Sequence, residues 1–125
     1  MVISQRRSNR KPTGGRYIDY RKKKSNEQGG LPSYTKLGEN KPKKVVVLGG
    51  NKKSKLLNAN TVNLLDKKTG KYAKVAIKVI AETPSNRNYA RRNIMTKGTI
   101  IDTEKGKAVI VSRPGQEGQI NAVLL

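Results

Sequence analysis

The stretch Lys74-Val75-Ala76-Ile77-Lys78-Val79-Ile80 alternates in character from residue to residue. Side chains of an extended strand point to opposite faces in turn, so this order predicts Val75, Ile77 and Val79 on one face and both lysines on the other. Upstream, Asp66-Lys67-Lys68-Thr69-Gly70 supplies a turn. Before it, Leu56–Leu65 alternates imperfectly, with Asn58, Asn60 and Asn63 interrupting it, and predicts a bulge or a strong bend. Further back, Val45-Val46-Val47-Leu48 stops at Gly49-Gly50 and reads as a short buried strand. Downstream, Thr99–Thr103 and Ala108–Ser112 flank a turn at Glu104-Lys105-Gly106, and Pro114–Gly118 makes another turn before Ile120–Leu125. Six short strands spaced by glycine turns predict a mainly β fold, a small antiparallel barrel or sandwich. Closure into a barrel of about six strands also removes exposed edges. Between the third and fourth strands, Thr83–Asn93 has room for one or two helical turns, with Ser85 as candidate N-cap.

The chain changes character near Lys44. Residues 1–44 contain five Val, Ile or Leu and residues 45–125 contain 23, while each part carries a net charge of +10. Ordering a backbone costs ~1–2 kcal/mol per residue, and the first part has too little apolar surface to offset it. The expectation is therefore a basic extended arm at 1–43 that orders on its partner, followed by a folded domain at 44–125.

Lysine and arginine total 28 against 8 acids, a formal net charge of +20. Self-repulsion of that size calls for a polyanion, and nucleic acid comes first because binding releases its condensed counterions. A membrane surface would need an amphipathic helix, a lipid site or an apolar span, and none is evident, so no membrane partner is expected. The opening MVISQRRSNR is basic but lacks a following apolar stretch, so no secretory signal is expected. With no cysteine and no histidine, disulfides, a zinc ribbon and histidine acid–base chemistry drop out. Five tyrosines with no phenylalanine or tryptophan are too few aromatics for a paired-motif RNA-recognition sheet.

The arm string RRSNRKPTGGRYIDYRKKK, residues 6–24, is the densest signal. The guanidinium forks of Arg6, Arg7, Arg10, Arg16 and Arg21 match phosphate oxygens, while Lys11, Lys22, Lys23 and Lys24 act as point charges. Gly14 and Gly15 permit close backbone approach, and Tyr17 and Tyr20 have faces for unpaired bases. A solvated tail or a nuclear-localisation-like run would be equally basic; the interleaved glycines and tyrosines favour RNA contact. The loop Asn86–Asn93 brings Asn86, Arg87, Tyr89, Arg91, Arg92 and Asn93 into eight residues and reads as a second RNA-facing surface, or else as a solvated connection. Gly49-Gly50-Asn51-Lys52-Lys53-Ser54 lacks the spacing of a phosphate loop and reads as a basic β-turn, with Lys52 and Lys53 able to touch phosphate. The acids Asp66, Asp102, Glu104 and Glu117 lie mostly in predicted turns with no acid–base pair or metal spacing, so no catalysis, cofactor, metal or small-molecule substrate is expected. A chromatin-type DNA-binding protein with a basic tail remains the rival reading.

Three strings taken together, RRSNRKPTGGRY in the arm, ETPSNRNYARRNIMTKGTIIDTEKGKA in the middle and SRPGQEGQINAVLL at the end, resemble the archaeal form of small-subunit ribosomal protein eight, of the archaeal and eukaryotic type. GGNKKSKL also sits where that family has a glycine-lysine turn, and the short chain lacks the insertion of eukaryotic members. The resemblance implies a small β-barrel with a basic N-terminal extension, bound to small-subunit ribosomal RNA among neighbouring ribosomal proteins. It implies a structural role in the cytoplasm, with no catalysis and no homo-oligomer. Matched position by position, it points to Arg10, Lys11, Thr13, Gly14, Gly15 and Arg16 as RNA contacts. It points likewise to Asn86, Arg87, Tyr89, Arg91, Arg92 and Asn93, and to Arg113 beside the Pro114-Gly115 turn.

Overall fold

The computed structural model describes residues 7–125, which divide into two compact units meeting in sequence at Pro32/Ser33. Among the described residues the larger unit holds eight strands, two short α-helices and one 3-10 turn at Leu48–Gly50. The strands are β1 (Lys36–Leu37), β2 (Lys41–Val46), β3 (Lys52–Ala59), β4 (Thr61–Leu65), β5 (Tyr72–Glu82), β6 (Ile100–Thr103), β7 (Gly106–Ile110) and β8 (Asn121–Leu124). Helix α1 (Arg87–Arg91) lies between β5 and β6, and α2 (Pro114–Glu117) between β7 and β8.

The expected mainly β, small-barrel fold is present. Strands β4 to β8 close on themselves through antiparallel neighbours, and β4 pairs with β8 in parallel, Asn63 opposite Asn121 and Leu65 opposite Val123. That parallel seam is a geometric necessity, since five strands alternating in direction begin and end pointing the same way. The barrel therefore has five strands where the sequence suggested about six. The other three form a separate sheet in the order β1-β3-β2. Val62 and Leu64 from β4, Val75, Ile77 and Ile80 from β5, Ile101, Ala108, Ile110 and Ala122 fill the core, joined by Leu56, Ala59, Met95 and Ile120.

The alternation in β5 holds only as far as Ile77. Val75 and Ile77 are buried, but Val79 is 55% exposed and Ile80 takes the inward place. Between Ile77 and Val79 the register against β6 slips, Ile77 opposite Thr103 and Val79 opposite Asp102, and it slips again between Ile80 and Glu82. Each extra residue inverts the side-chain phase and bends the strand. Such bends let one eleven-residue strand serve two neighbours around a tight closure.

Asn60 marks the break foreseen in Leu56–Leu65. Its carbonyl accepts from Ile77 N at 2.9 Å, and the chain passes there from β3, paired with β1 and β2, to β4 in the barrel. The segment expected as a buried strand, Val45–Leu48, is instead the end of an edge strand and its turn. Val46 is 69% and Leu48 98% exposed, because β2 has a neighbour on one side only. Pro42 in β2 fits this edge position, where a missing N–H does least harm to a ladder.

The boundary expected near residue 44 falls inside β2, and residues 33–43 group with the larger unit. Few as their apolar residues are, their backbone polar groups are matched by those of the folded domain. Thr35 is fully buried, its hydroxyl donates to Leu56 O at 2.6 Å and its carbonyl accepts from Met95 N at 2.8 Å. Leu37 N donates to Asn93 O at 3.1 Å. Thr35→Val keeps the shape and loses the buried hydroxyl bond, and is expected to lower stability by about 1–2 kcal/mol in a denaturant titration. An unchanged midpoint would mean that this bond does not hold residues 33–43 to β3.

Candidate nucleic-acid interface

In the smaller unit, residues 9–17 fold back on themselves. Tyr17 N donates to Asn9 O at 3.0 Å, Lys11 N to Gly15 O at 2.8 Å and Gly14 N to Lys11 O at 3.0 Å, with Arg10 and Arg16 bridged across the turn. Gly14, at φ +85°, permits the reversal. The Arg10 side chain closes the loop by donating to Gly14 O at 3.2 Å. Tyr17 gathers cations: the Arg7 guanidinium lies 4.1 Å from its ring centroid and the Lys11 ammonium 5.6 Å. Thus Arg7, Arg10, Lys11, Thr13, Gly14, Gly15, Arg16 and Tyr17 fall on one small turn whose side chains are exposed. Like charges concentrated this way are stabilised by an anion, and the turn carries no carboxylate of its own.

Arg21 differs from the cations around it. Its guanidinium forms a two-pronged pair with Glu27, at 3.0 and 2.5 Å, and Nε donates to the Tyr20 hydroxyl at 2.8 Å. The Glu27 carboxylate and then the Tyr20 hydroxyl push the Arg21 pKa further up. Glu27 also accepts from Lys24 N at 3.1 Å, closing a one-turn 3-10 helix at Ser25–Glu27. Arg21 is thereby committed to holding this segment, whereas Lys22, Lys23 and Lys24 present exposed ammonium groups. Arg6 lies outside the described residues.

In the larger unit, α1 organises the middle string. Asn86, not Ser85, is the N-cap: its side chain accepts from Asn88 N at 2.9 Å, while the Ser85 hydroxyl pairs with Thr96 at 3.0 Å. Asn93 adopts φ +53° to end the helix and turn the chain toward buried Ile94 and Met95. Two of the six candidate residues there therefore shape the backbone. Arg87, Arg91 and Arg92 are exposed, and Tyr89 meets Tyr34 edge to face with ring centroids 5.9 Å apart. The Arg92 guanidinium lies 5.8 Å from the Tyr34 centroid. Tyr34 was missed in the sequence because it sits among residues with no cluster of charge around it, and the burial of Thr35 that anchors it is set by contacts far along the chain.

The closing string SRPGQEG docks on β3. Arg113 precedes α2, its carbonyl accepting from Gln116 N at 2.8 Å and Glu117 N at 3.0 Å, and its side chain is exposed. A Cβ on Gly115 would sit 3.5 Å from Ser33, and one on Gly118 would fall inside Ser54. Lys53 donates to Gln116 Oε1 at 3.4 Å. Ser112 fixes the exit from α2, accepting from Asn121 N at 2.9 Å and donating to Gln119 O at 3.2 Å. Four strings far apart in sequence, 33–34, 52–54, 86–93 and 113–118, thus join contact by contact. The run carries Lys52, Lys53, Arg87, Arg91, Arg92 and Arg113, with Glu117 as its one carboxylate.

A groove of about 480 Å³ on the barrel's outer face has another character. Asn63, Leu65, Tyr72, Ala73, Lys74, Val111, Asn121, Ala122 and Val123 line it, and Lys74 is its one cation, so it is poorly suited to a phosphate backbone. Among the described residues no group of three carboxylates comes together as a metal site, and no helix is long and apolar enough to cross a membrane. The Asp66 carboxyl is held below its usual range by hydrogen bonds from Lys68 N and the Thr69 hydroxyl, a turn role.

Residues 4–125 match the family model described as ribosomal protein S8e. Relatives named small ribosomal subunit protein eS8 align along the whole chain. The one from Methanocorpusculum labreanum is 54% identical over 124 residues, 99% of each chain. That from Methanococcus aeolicus is 48% identical over 126 residues, covering 100% of this chain and 98% of the relative. That from Methanobrevibacter smithii is 44% identical over 125 residues, the full length of both.

Proposed function

The chain belongs to the ribosomal protein S8e family, and on that premise we propose that it is a non-catalytic constituent of the small ribosomal subunit that binds ribosomal RNA and stabilises its fold during assembly. The observation that carries this reading is the joined run of Lys52, Lys53, Arg87, Arg91, Arg92 and Arg113 around a tyrosine pair, because a surface with six cations and one carboxylate is matched to a polyanion. The turn at residues 9–17 offers a second, separate set of cations with its own tyrosine. Affinity comes mainly from counterion release and backbone shape, with few base-specific bonds. The partners are small-subunit ribosomal RNA and the ribosomal proteins beside it, in the cytoplasm.

Competition at fixed salt between a structured small-subunit ribosomal RNA fragment and duplex DNA of equal length tests the reading. The RNA is expected to win clearly, since the grooves and 2′-hydroxyls of A-form RNA differ from B-DNA. Equal affinity for the two would favour a general DNA-binding role instead.

A further inference from the structure

Tyr34, Tyr89 and Arg92 form a cluster whose build is unusual for a surface. Tyr34 is 44% exposed, yet the next residue, Thr35, is fully buried and hydrogen-bonded on both its hydroxyl and its carbonyl. Tyr89 projects from α1, whose exit leads directly into Ile94 and Met95, at 0% and 1% exposure. Both rings are therefore held on anchored backbone, Tyr34 open to solvent and Tyr89 partly so. A pair serving only to bury apolar area gains nothing from leaving a rigid ring half exposed.

We propose that Tyr34, Tyr89 and Arg92 form a stacking site for a single unpaired RNA base, with Arg87 and Arg91 holding the flanking phosphates. The proposal rests on the RNA-binding reading above and adds the kind of RNA this surface takes. Three observations support it. The rings cross at 69° with centroids 5.9 Å apart, an edge-to-face contact that covers at most one of their four faces. Arg92 takes a second face at 5.8 Å, and a guanidinium plane is itself a surface on which a base can lie. The segment Thr83–Thr99 has Arg87, Arg91, Arg92 and Lys97 with no acid at all, so the surroundings of the rings favour an anionic chain. An A-form duplex stacks its own bases and offers these rings no free face, so the ligand is an unstacked nucleotide.

The test uses the full chain with a single-stranded RNA oligonucleotide and an RNA duplex of equal length, each measured across a series of salt concentrations. Tyr34→Leu keeps an apolar side chain against Tyr89 but loses the aromatic face. It is expected to weaken single-strand binding roughly 5- to 100-fold, with the salt slope unchanged and duplex binding unaffected. Tyr34→Phe should restore the affinity. Arg91→Gln should act in the opposite manner, making the slope shallower by about 0.7–0.9 for both RNAs.

Equal losses on both RNAs, or none with Tyr34→Leu, would overturn the stacking site while leaving the general RNA reading standing. A wild-type slope near zero would overturn both. Binding of a polyglutamate peptide that Tyr34→Leu weakens more than single-strand binding would assign the site to an acidic protein segment instead. A Tyr34→Leu variant that melts earlier is judged by Tyr34→Phe together with Tyr89→Leu, which must show the same selective loss for single strands; its absence overturns the proposal.

Discussion

Gly118→Ala is expected to be among the most damaging single methyl groups that can be added to this protein. Gly118 has φ +70°, where an added Cβ costs about 1 kcal/mol or somewhat more through backbone strain alone. Here the Cβ also lands 2.7 Å from Ser54 Cβ, and closer still to its hydroxyl oxygen. Rotating the hydroxyl relieves one of these overlaps but not the other, because Ser54 Cβ is fixed to β3. Either the turn after α2 must lift off β3 or the strand must shift, and overpacking of this kind adds about 1–3 kcal/mol. The combined cost is roughly 2–5 kcal/mol, which for a unit of this size lowers Tm by about 8 °C or more. Gly70→Ala supplies the control, since Gly70 has nearly the same φ, +69°, with nothing within 4 Å of an added Cβ. It should cost only the strain, about 1 kcal/mol. Adding Ser54→Gly to Gly118→Ala removes both clashing atoms, so the double variant should be more stable than the sum of the single changes by about 1–3 kcal/mol. Equal melting of Gly118→Ala and Gly70→Ala would show that the closing string does not pack on β3.

The second large effect comes from truncation, and it separates charge from fold. Removing residues 1–32 takes away nine lysines and arginines and no strand of the larger unit. The remaining chain is expected to unfold cooperatively within a few degrees of the full protein. Its RNA affinity should depend far less on salt. With Arg21 committed to Glu27, eight cations are lost, and at about 0.7–0.9 per phosphate the slope becomes shallower by roughly 6 if each meets one. Removing residues 1–43 is a different experiment. It deletes Thr35, β1 and the first half of β2, leaving β3 without its parallel neighbour and Leu56 O without its buried donor. That variant should lose about 3 kcal/mol or more, counting the unsatisfied carbonyl and the newly exposed core side chains. If the two truncations melt alike, residues 33–43 are not part of the fold.

The strands of the barrel were legible because β-branched runs and glycine turns are local signals. β6, β7 and β8 lie within two residues of Thr99–Thr103, Ala108–Ser112 and Ile120–Leu125. What escaped the sequence depends on partners far along the chain. Val79 looks like the next inward residue after Val75 and Ile77, and only the bulge against β6 turns it outward. Val45–Leu48 has the composition of a buried strand, but nothing local says that β2 would stand at a sheet edge.

The candidate site divides in the same way. Charge density with interleaved glycines and tyrosines singled out residues 6–24 as candidates, and clustered arginines and asparagines singled out Asn86–Asn93. It could not distinguish Arg21, held by Glu27 six residues away, from its exposed neighbours. Nor could it give Tyr34 a role, because that role comes from Tyr89 and Arg92, more than fifty residues on. The string SRPGQEG shows the converse. Distinctive as it is in sequence, its Gly118 serves close packing against Ser54, and Arg113 is its one exposed cation.

Cosedimentation with the small ribosomal subunit across a series of salt concentrations tests the central claim most directly. Phosphate contacts spread over the turn at 9–17 and the surface around α1 should hold the full chain on the subunit at low salt and release it steeply as salt rises. Free-state binding to the naked RNA should meanwhile fall with a slope of roughly −7 to −9 for about ten phosphates. Retention with the small subunit and not with the large one is the predicted result. Retention that does not depend on salt, or an even distribution between the two subunits, would contradict the account.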